Sequence, residues 1–215
     1  MATHLLDSLA DDDRRTVLAA TRRRRFGRGE IVFHDGDPGD TLHMIAKGHF
    51  AIRITTPLGD VATLRVLGPG EHFGELAVLE PGPRRGSVVA LEGGETMSLH
   101  RDEFASLRTT IPLLDQVLTA ALVSEVRRQA AALVDALYVP VEQRVWRRLA
   151  ELVELYGSDP PVVIALTQDD LAQLAGTTRP TANRVLRSGE DQGVVNLARG
   201  RIEVHDLAAL ARLGR

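Results

Sequence analysis

The stretch Phe73–Ala90 reads FGELAVLEPGPRRGSVVA. A glycine stands beside a carboxylate, a Pro/Gly-rich loop follows, and two arginines precede a run of small residues. Ordinary core sequence does not look like this. What the cluster belongs to is decided by the chain on either side of it.

From Phe26 to about Leu99 the texture is that of short strands. Apolar or alternating runs (Ile31–Phe33, Leu42–Ile45, Phe50–Ile54, Ala62–Val66, Val88–Leu91, Thr96–Leu99) are separated by GRGE, DGDPGD, AKGH, TPLGD and LGPGE. Strands at this spacing, punctuated by Gly, Pro and Asp, predict an all-β sandwich or barrel. Upstream, Leu5, Leu6, Leu9, Val17 and Leu18 have helical spacing around Asp7–Ala20, and the arginine run Arg22–Arg25 reads as a solvated edge. Downstream, Leu114, Leu118, Ala121, Leu122, Val126, Ala130, Leu133 and Leu137 recur at helical steps from Ile111 to Leu137. That length, about seven turns, predicts a helix that pairs with a partner helix. YVPV at Tyr138–Val141 breaks it, because Pro140 lacks an amide donor. A second helix covers Glu142–Tyr156, and GSDPP closes it.

The C-terminal stretch LTQDDLAQLAGTTRPTANRVLRS has its own grammar. Thr167 caps a short helix with Asp170 in the capping-box position, Gly176 sits at the turn, and Thr177 or Thr178 caps a second helix with Pro180 in its first turn. This order predicts a helix-turn-helix whose second helix enters the major groove. Its outward residues are expected to be Thr178, Arg179, Thr181, Asn183 and Arg184, donors for base edges and phosphates. QGVVNLARGRIEVHD follows as a two-stranded wing turning at Arg199–Gly200.

The bulk composition excludes several alternatives. With 44% hydrophobic and 26% charged residues, the 215-residue chain has the make-up of a soluble globular protein. The absence of cysteine removes disulfides, zinc ribbons and thiolate-held iron–sulfur clusters. Aromatics at 4% argue against base-stacking platforms for single strands, and a net charge of −3 confines any nucleic-acid contact to a local patch. The start MATHLLDSLADDDRR lacks the pattern of a signal peptide, and no apolar stretch is of membrane-spanning length, so a cytoplasmic location is expected. The histidines His4, His34, His43, His49, His72, His100 and His205 show no metal-ligand spacing and read as solvated or satisfied turn residues. HRDEF at His100 echoes a kinase catalytic loop without its asparagine, and GPGEHFG lacks a strand-to-helix dinucleotide context. No nucleophile, base and orienter assemble, so an enzyme is not expected.

Taken together, FGRGEIVFHDGDPGDTLHMIAKG, FGELAVLEPGPRRGSV and the C-terminal motif make the chain resemble the Crp/Fnr family of bacterial transcription regulators over nearly its whole length. The resemblance implies an α+β protein. A jelly-roll-like cyclic-nucleotide-binding β-roll would span residues 1–110, a long dimerisation helix 111–138, and a winged helix-turn-helix 139–215. It implies a cyclic nucleotide ligand, cyclic AMP first and cyclic GMP second, with no prosthetic group or metal. Gly74, Glu75 and Leu76 would form the phosphate and ribose cassette with Arg84 on the phosphate. Arg85 stands where many members carry Ser or Thr. Gln129 and Ala130 occupy the positions where cyclic-AMP-responsive members place polar residues that reach the adenine. On the recognition helix Pro180 replaces a glutamate, which implies an operator different at that base. The implied partners are palindromic double-stranded DNA, a second copy of the chain and RNA polymerase, with no membrane. Two alternatives stay open: a constitutive DNA binder whose β-roll is only a scaffold, and a nucleotide-binding module acting on protein partners.

Overall fold

A computed structural model describes residues 5–215. The elements run α1 (Asp11–Ala19), β1 (Arg22–Phe26), β2 (Ile31–Phe33), β3 (Pro38–Gly39), β4 (Thr41–Lys47), β5 (Phe50–Thr55), β6 (Val61–Leu67), β7 (His72–Phe73), α2 (Leu76–Leu79), β8 (Gly82–Pro83), β9 (Ser87–Ala90), β10 (Gly94–His100), α3 (Arg101–Thr110) and α4 (Leu113–Tyr138). There follow α5 (Val141–Tyr156), β11 (Val162–Ile164), α6 (Gln168–Leu174), α7 (Arg179–Asp191), β12 (Val195–Ala198), β13 (Arg201–Val204) and α8 (Leu207–Leu213).

The chain divides into two compact units, one reaching to Ile54 and resuming over Leu67–Gln129, the other comprising Thr55–Val66 and Ala130–Arg215. The β-roll is two antiparallel sheets, ordered β1-β10-β4-β7 and β2-β9-β5-β6, with the short pair β3-β8 beside them. Between the sheets lies an aromatic core in which Phe50 meets Phe26 edge-on at 5.8 Å and Phe73 at 5.6 Å. A second cluster joins Val17 of α1, Leu42 and Met44 of β4, Phe104 of α3 and Leu114 and Leu118 of α4. The arginine run forms β1, an edge strand whose Arg22, Arg23, Arg24 and Arg25 are all exposed.

In the second unit, Val145, Trp146, Leu149 and Leu152 of α5 are buried together with Leu171, Leu186, Ile202 and Val204. Thr167 and Asp170 make the expected capping box, and Thr178 rather than Thr177 caps α7.

Several expectations need correction. The N-terminal helix begins at Asp11 rather than Asp7, since residues 5–8 form a turn. The wing is a three-stranded sheet, β11-β13-β12, because Val162–Ile164 beyond the Pro160–Pro161 pair adds an edge strand. His43 is neither solvated nor in a turn but buried, at 5% exposure, whereas His49, at 8%, is a satisfied residue of the β4–β5 connection as expected. His43 sits within β4, where neighbouring strands enclose it, and His49 is engaged by Glu92. His4 lies outside the described residues.

Candidate anion pocket and nucleic-acid interface

Strand β7 delivers the chain to Gly74, whose φ of +82° lies in the left-handed region. A Cβ there would stand 2.7 Å from Arg84 Nη1 and 2.8 Å from the Thr41 carbonyl oxygen. Glycine is thus required both by the backbone and by the closeness of the guanidinium. Glu75 then leads into the single turn of α2.

Arg84 is 5% exposed, and among the described residues it forms no ion pair with a carboxylate. Its Nη1 donates to the carbonyl oxygens of Thr41 at 2.8 Å and Gly74 at 3.3 Å, and its Nη2 donates to Thr41 Oγ1 at 2.8 Å. Its guanidinium carbon lies 4.0 Å from the centroid of the Phe33 ring. The Nε is buried without a partner. Burial, and then Arg101, pull this guanidinium below its usual range, while Asp40, Glu75 and Asp37 oppose the shift. A buried cation whose hydrogen bonds all go to neutral oxygens is costly, and an anion bound there would relieve that cost.

Beside it, the His43 ring stacks on Phe73 with centroids 5.0 Å apart. Its nitrogens lie 3.0 Å from Thr96 Oγ1 and 3.2 Å from Thr41 Oγ1. Desolvation, helped by Arg84 and Arg24, lowers its pKa to about 3. A neutral imidazole here adds no second positive charge to the pocket. Thr41, His43 and Phe33 were not singled out from sequence as pocket residues. Their signal was the alternation of TLHMI, which puts Thr41 and His43 on one strand face.

The structure therefore brings Gly74, Glu75 and Arg84 together. Arg85 is exposed and has no partner among the described residues. Leu76 is half-exposed, at 50%. Gln129, on the exposed surface of α4, donates its Nε2 to Glu125 Oε1 at 2.8 Å, and that carboxylate also accepts from Arg128.

At the helix-turn-helix, Gly176 takes φ +60° at the turn and Pro180 sits in the first turn of α7. Thr178, Arg179 and Arg184 are exposed, and Thr178 Oγ1 lies 3.1 Å from Thr181 Oγ1. Arg184 pairs loosely with Glu142 at 3.6 Å. Asn183 is half-buried and donates to Gln168 Oε1 at 2.6 Å, tying α7 to the start of α6. Glu190, near the end of α7, accepts from the Leu197 amide at 2.9 Å and from Arg187, which fixes the wing. Thr178, Arg179 and Arg184 thus leave a hydroxyl and two guanidinium groups exposed over the first half of α7, residue types suited to contacting duplex DNA.

Known protein families match both halves of the chain. The Cyclic nucleotide-binding domain family matches residues 23–110, and the Crp-like helix-turn-helix domain family matches residues 143–213. The chain is 34% identical over 209 residues to the Cyclic AMP receptor protein of Thermus thermophilus, covering 97% of this chain and 95% of that one. It is 32% identical over 194 residues to the CRP-like cAMP-activated global transcriptional regulator of Mycobacterium tuberculosis, covering 88% and 87% respectively. Among solved structures, the Catabolite Activator Protein of Thermus thermophilus matches with a TM-score of 0.59 at 32% identity, over 99% and 98% of the two chains. FixK2 of Bradyrhizobium japonicum shares the fold, with a TM-score of 0.78 at 18% identity over 91% and 98%.

Proposed function

The chain belongs to the Crp family of DNA-binding transcription regulators, with a cyclic nucleotide-binding domain and a Crp-like helix-turn-helix, and from that premise we propose that it works as a homodimer whose affinity for a palindromic operator is raised by a cyclic nucleotide, cyclic AMP foremost. The observation that carries this reading is the buried Arg84, unpaired by any carboxylate among the described residues and poised against Gly74. Phosphate would take the guanidinium, Glu75 would accept from the ribose hydroxyl, and the bound ligand would favour one dimer arrangement over another.

The dimer follows from α4. Val123, Val126, Leu133, Val134 and Leu137 are large, apolar and exposed. Val123, Val126, Ala130, Leu133 and Leu137 step by three and four, the seam of a two-stranded coiled coil. Two-fold symmetry then sets the α7 helices about 34 Å apart, one DNA turn, and makes the operator palindromic. RNA polymerase is the protein partner this reading assigns, and the cytoplasm its compartment.

Calorimetric titration with cyclic AMP and cyclic GMP, repeated on Arg84→Ala, tests the pocket. The expected result is micromolar or tighter binding that weakens at least tenfold in the variant. A second reading, a scaffold that binds DNA without ligand, draws on Ala130 and on the engagement of Gln129 with Glu125. Absence of heat with either nucleotide, together with an unchanged melting temperature, selects it.

A further inference from the structure

Pro140 leaves a defect at the end of α4. The carbonyl of Ala136 would ordinarily accept from the amide four residues on, but that residue is proline and has no N–H. Arg144, in the first turns of α5, fills the gap. Its Nη1 donates to the Ala136 carbonyl at 3.4 Å and the Val139 carbonyl at 2.9 Å. The other side of the same guanidinium serves a second helix end. Nε donates to the Ala175 carbonyl at 3.0 Å and Nη2 to the Gly176 carbonyl at 3.2 Å, both at the C-terminus of α6 where the helix-turn-helix turns. Among the described residues Arg144 forms no ion pair, so its charge rests on carbonyl oxygens alone, at the negative ends of two helix dipoles.

Two further arginines of α5 grip the same end of α4. Arg147 Nη1 lies 2.9 Å from Asp135 Oδ1, and Arg148 Nη2 lies 3.4 Å from Asp135 Oδ2. Arg147 also donates to the Gly214 carbonyl at 2.8 Å. Residues 130–138 of α4 accordingly belong to the same compact unit as the helix-turn-helix. The compact unit that holds the helix-turn-helix takes in α4 from Ala130 onward.

We propose that Arg144 is a positioning residue for DNA recognition, one guanidinium that caps α4 and α6 together and so makes the end of the dimerisation helix and the helix-turn-helix turn move as one body. This rests on the regulatory reading above, in that a displacement of α4 caused by ligand would reach the turn before α7 through this side chain. Lysine cannot replace it, because a single ammonium lacks the fork that spans both sets of carbonyls.

The test uses the full-length protein, as wild type, Arg144→Ala, Arg144→Lys and Asp135→Asn. In Arg144→Ala, amide hydrogen exchange at residues 133–140 and at residues 172–178 should accelerate together by at least tenfold, and Arg144→Lys should recover only part. Cyclic AMP affinity should stay within about twofold, while the gain in duplex affinity produced by cyclic AMP falls at least fivefold. Asp135→Asn, which releases Arg147 and Arg148 but keeps Arg144, should loosen residues 133–140 alone, and it decides the matter if Arg144→Ala does not fold. Acceleration at one segment only in Arg144→Ala, or at both in Asp135→Asn, overturns the proposal. Should wild-type DNA binding ignore cyclic AMP, the ligand reading fails, and the exchange pattern alone still decides the role of Arg144.

Discussion

At the scale of single residues, the pocket depends on groups held in unusual states. His43 is depressed to about 3 from an ordinary value of 6.5, with desolvation the first cause. Both folded and unfolded states hold it neutral well above pH 6.5, and the unfolded chain is already half-protonated at 6.5. As pH falls from there towards 3, the unfolded chain takes up a proton that the folded one refuses. Stability should therefore be lost in that window, by up to about 1.4 kcal/mol per pH unit. Denaturant titrations of wild type and His43→Phe between pH 7 and 4 should show a shallower acid loss in the variant; parallel curves would mean that His43 is not the group responsible. Gly74→Ala meets both the Arg84 guanidinium and a positive φ, so it should cost about 1–3 kcal/mol and weaken cyclic nucleotide binding, as melting and calorimetry would register. The cassette itself was legible in sequence, because glycine, glutamate and arginine stand within one short stretch. The parking of Arg84 on Thr41 was not, since it joins residues 43 apart, and one of its two bonds goes to a carbonyl that every residue type possesses.

At the scale of elements, α7 lies so close to α5 that a Cβ on Gly189 would overlap the Trp146 indole. Gly189→Ala should push the recognition helix off its bed, at about 1–3 kcal/mol of overpacking. For a chain of this size that corresponds to a melting point lower by roughly 2–12 °C. Duplex affinity should fall with it, and an unchanged melt would show that α5 yields instead. Glu190→Ala removes the acceptor of the Leu197 amide, so it should raise hydrogen exchange in β12 and weaken DNA binding while leaving cyclic nucleotide affinity alone. Long or well-punctuated elements were readable: α4 and α5 from their periodicity, and α6 and α7 from the Thr167 and Thr178 caps. The strand β11 was not, because three residues after two prolines carry too little pattern, and its place is fixed by pairing with β13. The arginine run of β1 has no apolar alternation of its own. It is held as a strand by its ladder to β10, from Arg22 opposite Ser98 to Phe26 opposite Gly94.

At the scale of the whole molecule, the order of parts was legible because each half carries its own signature, strand punctuation in one and caps around a glycine turn in the other. The tie between the end of α4 and α5 was not, because nothing in a continuous helical repeat marks it, and Arg144, Arg147 and Arg148 lie beyond Pro140. Dimerisation through the exposed seam predicts that Leu133→Glu with Leu137→Glu yields a monomer by sedimentation velocity, with duplex affinity collapsing; a dimer surviving both changes would remove α4 as the interface. Gating of DNA binding by ligand is read out in a single titration. A labelled duplex selected from a randomised library is titrated with the full-length protein, with and without saturating cyclic AMP, over a range of salt. Binding should be at least tenfold tighter with the nucleotide, with affinity falling steeply as salt rises. Equal affinity with and without it, for cyclic AMP and cyclic GMP alike, would rule out gating and leave a constitutive DNA-binding scaffold in its place.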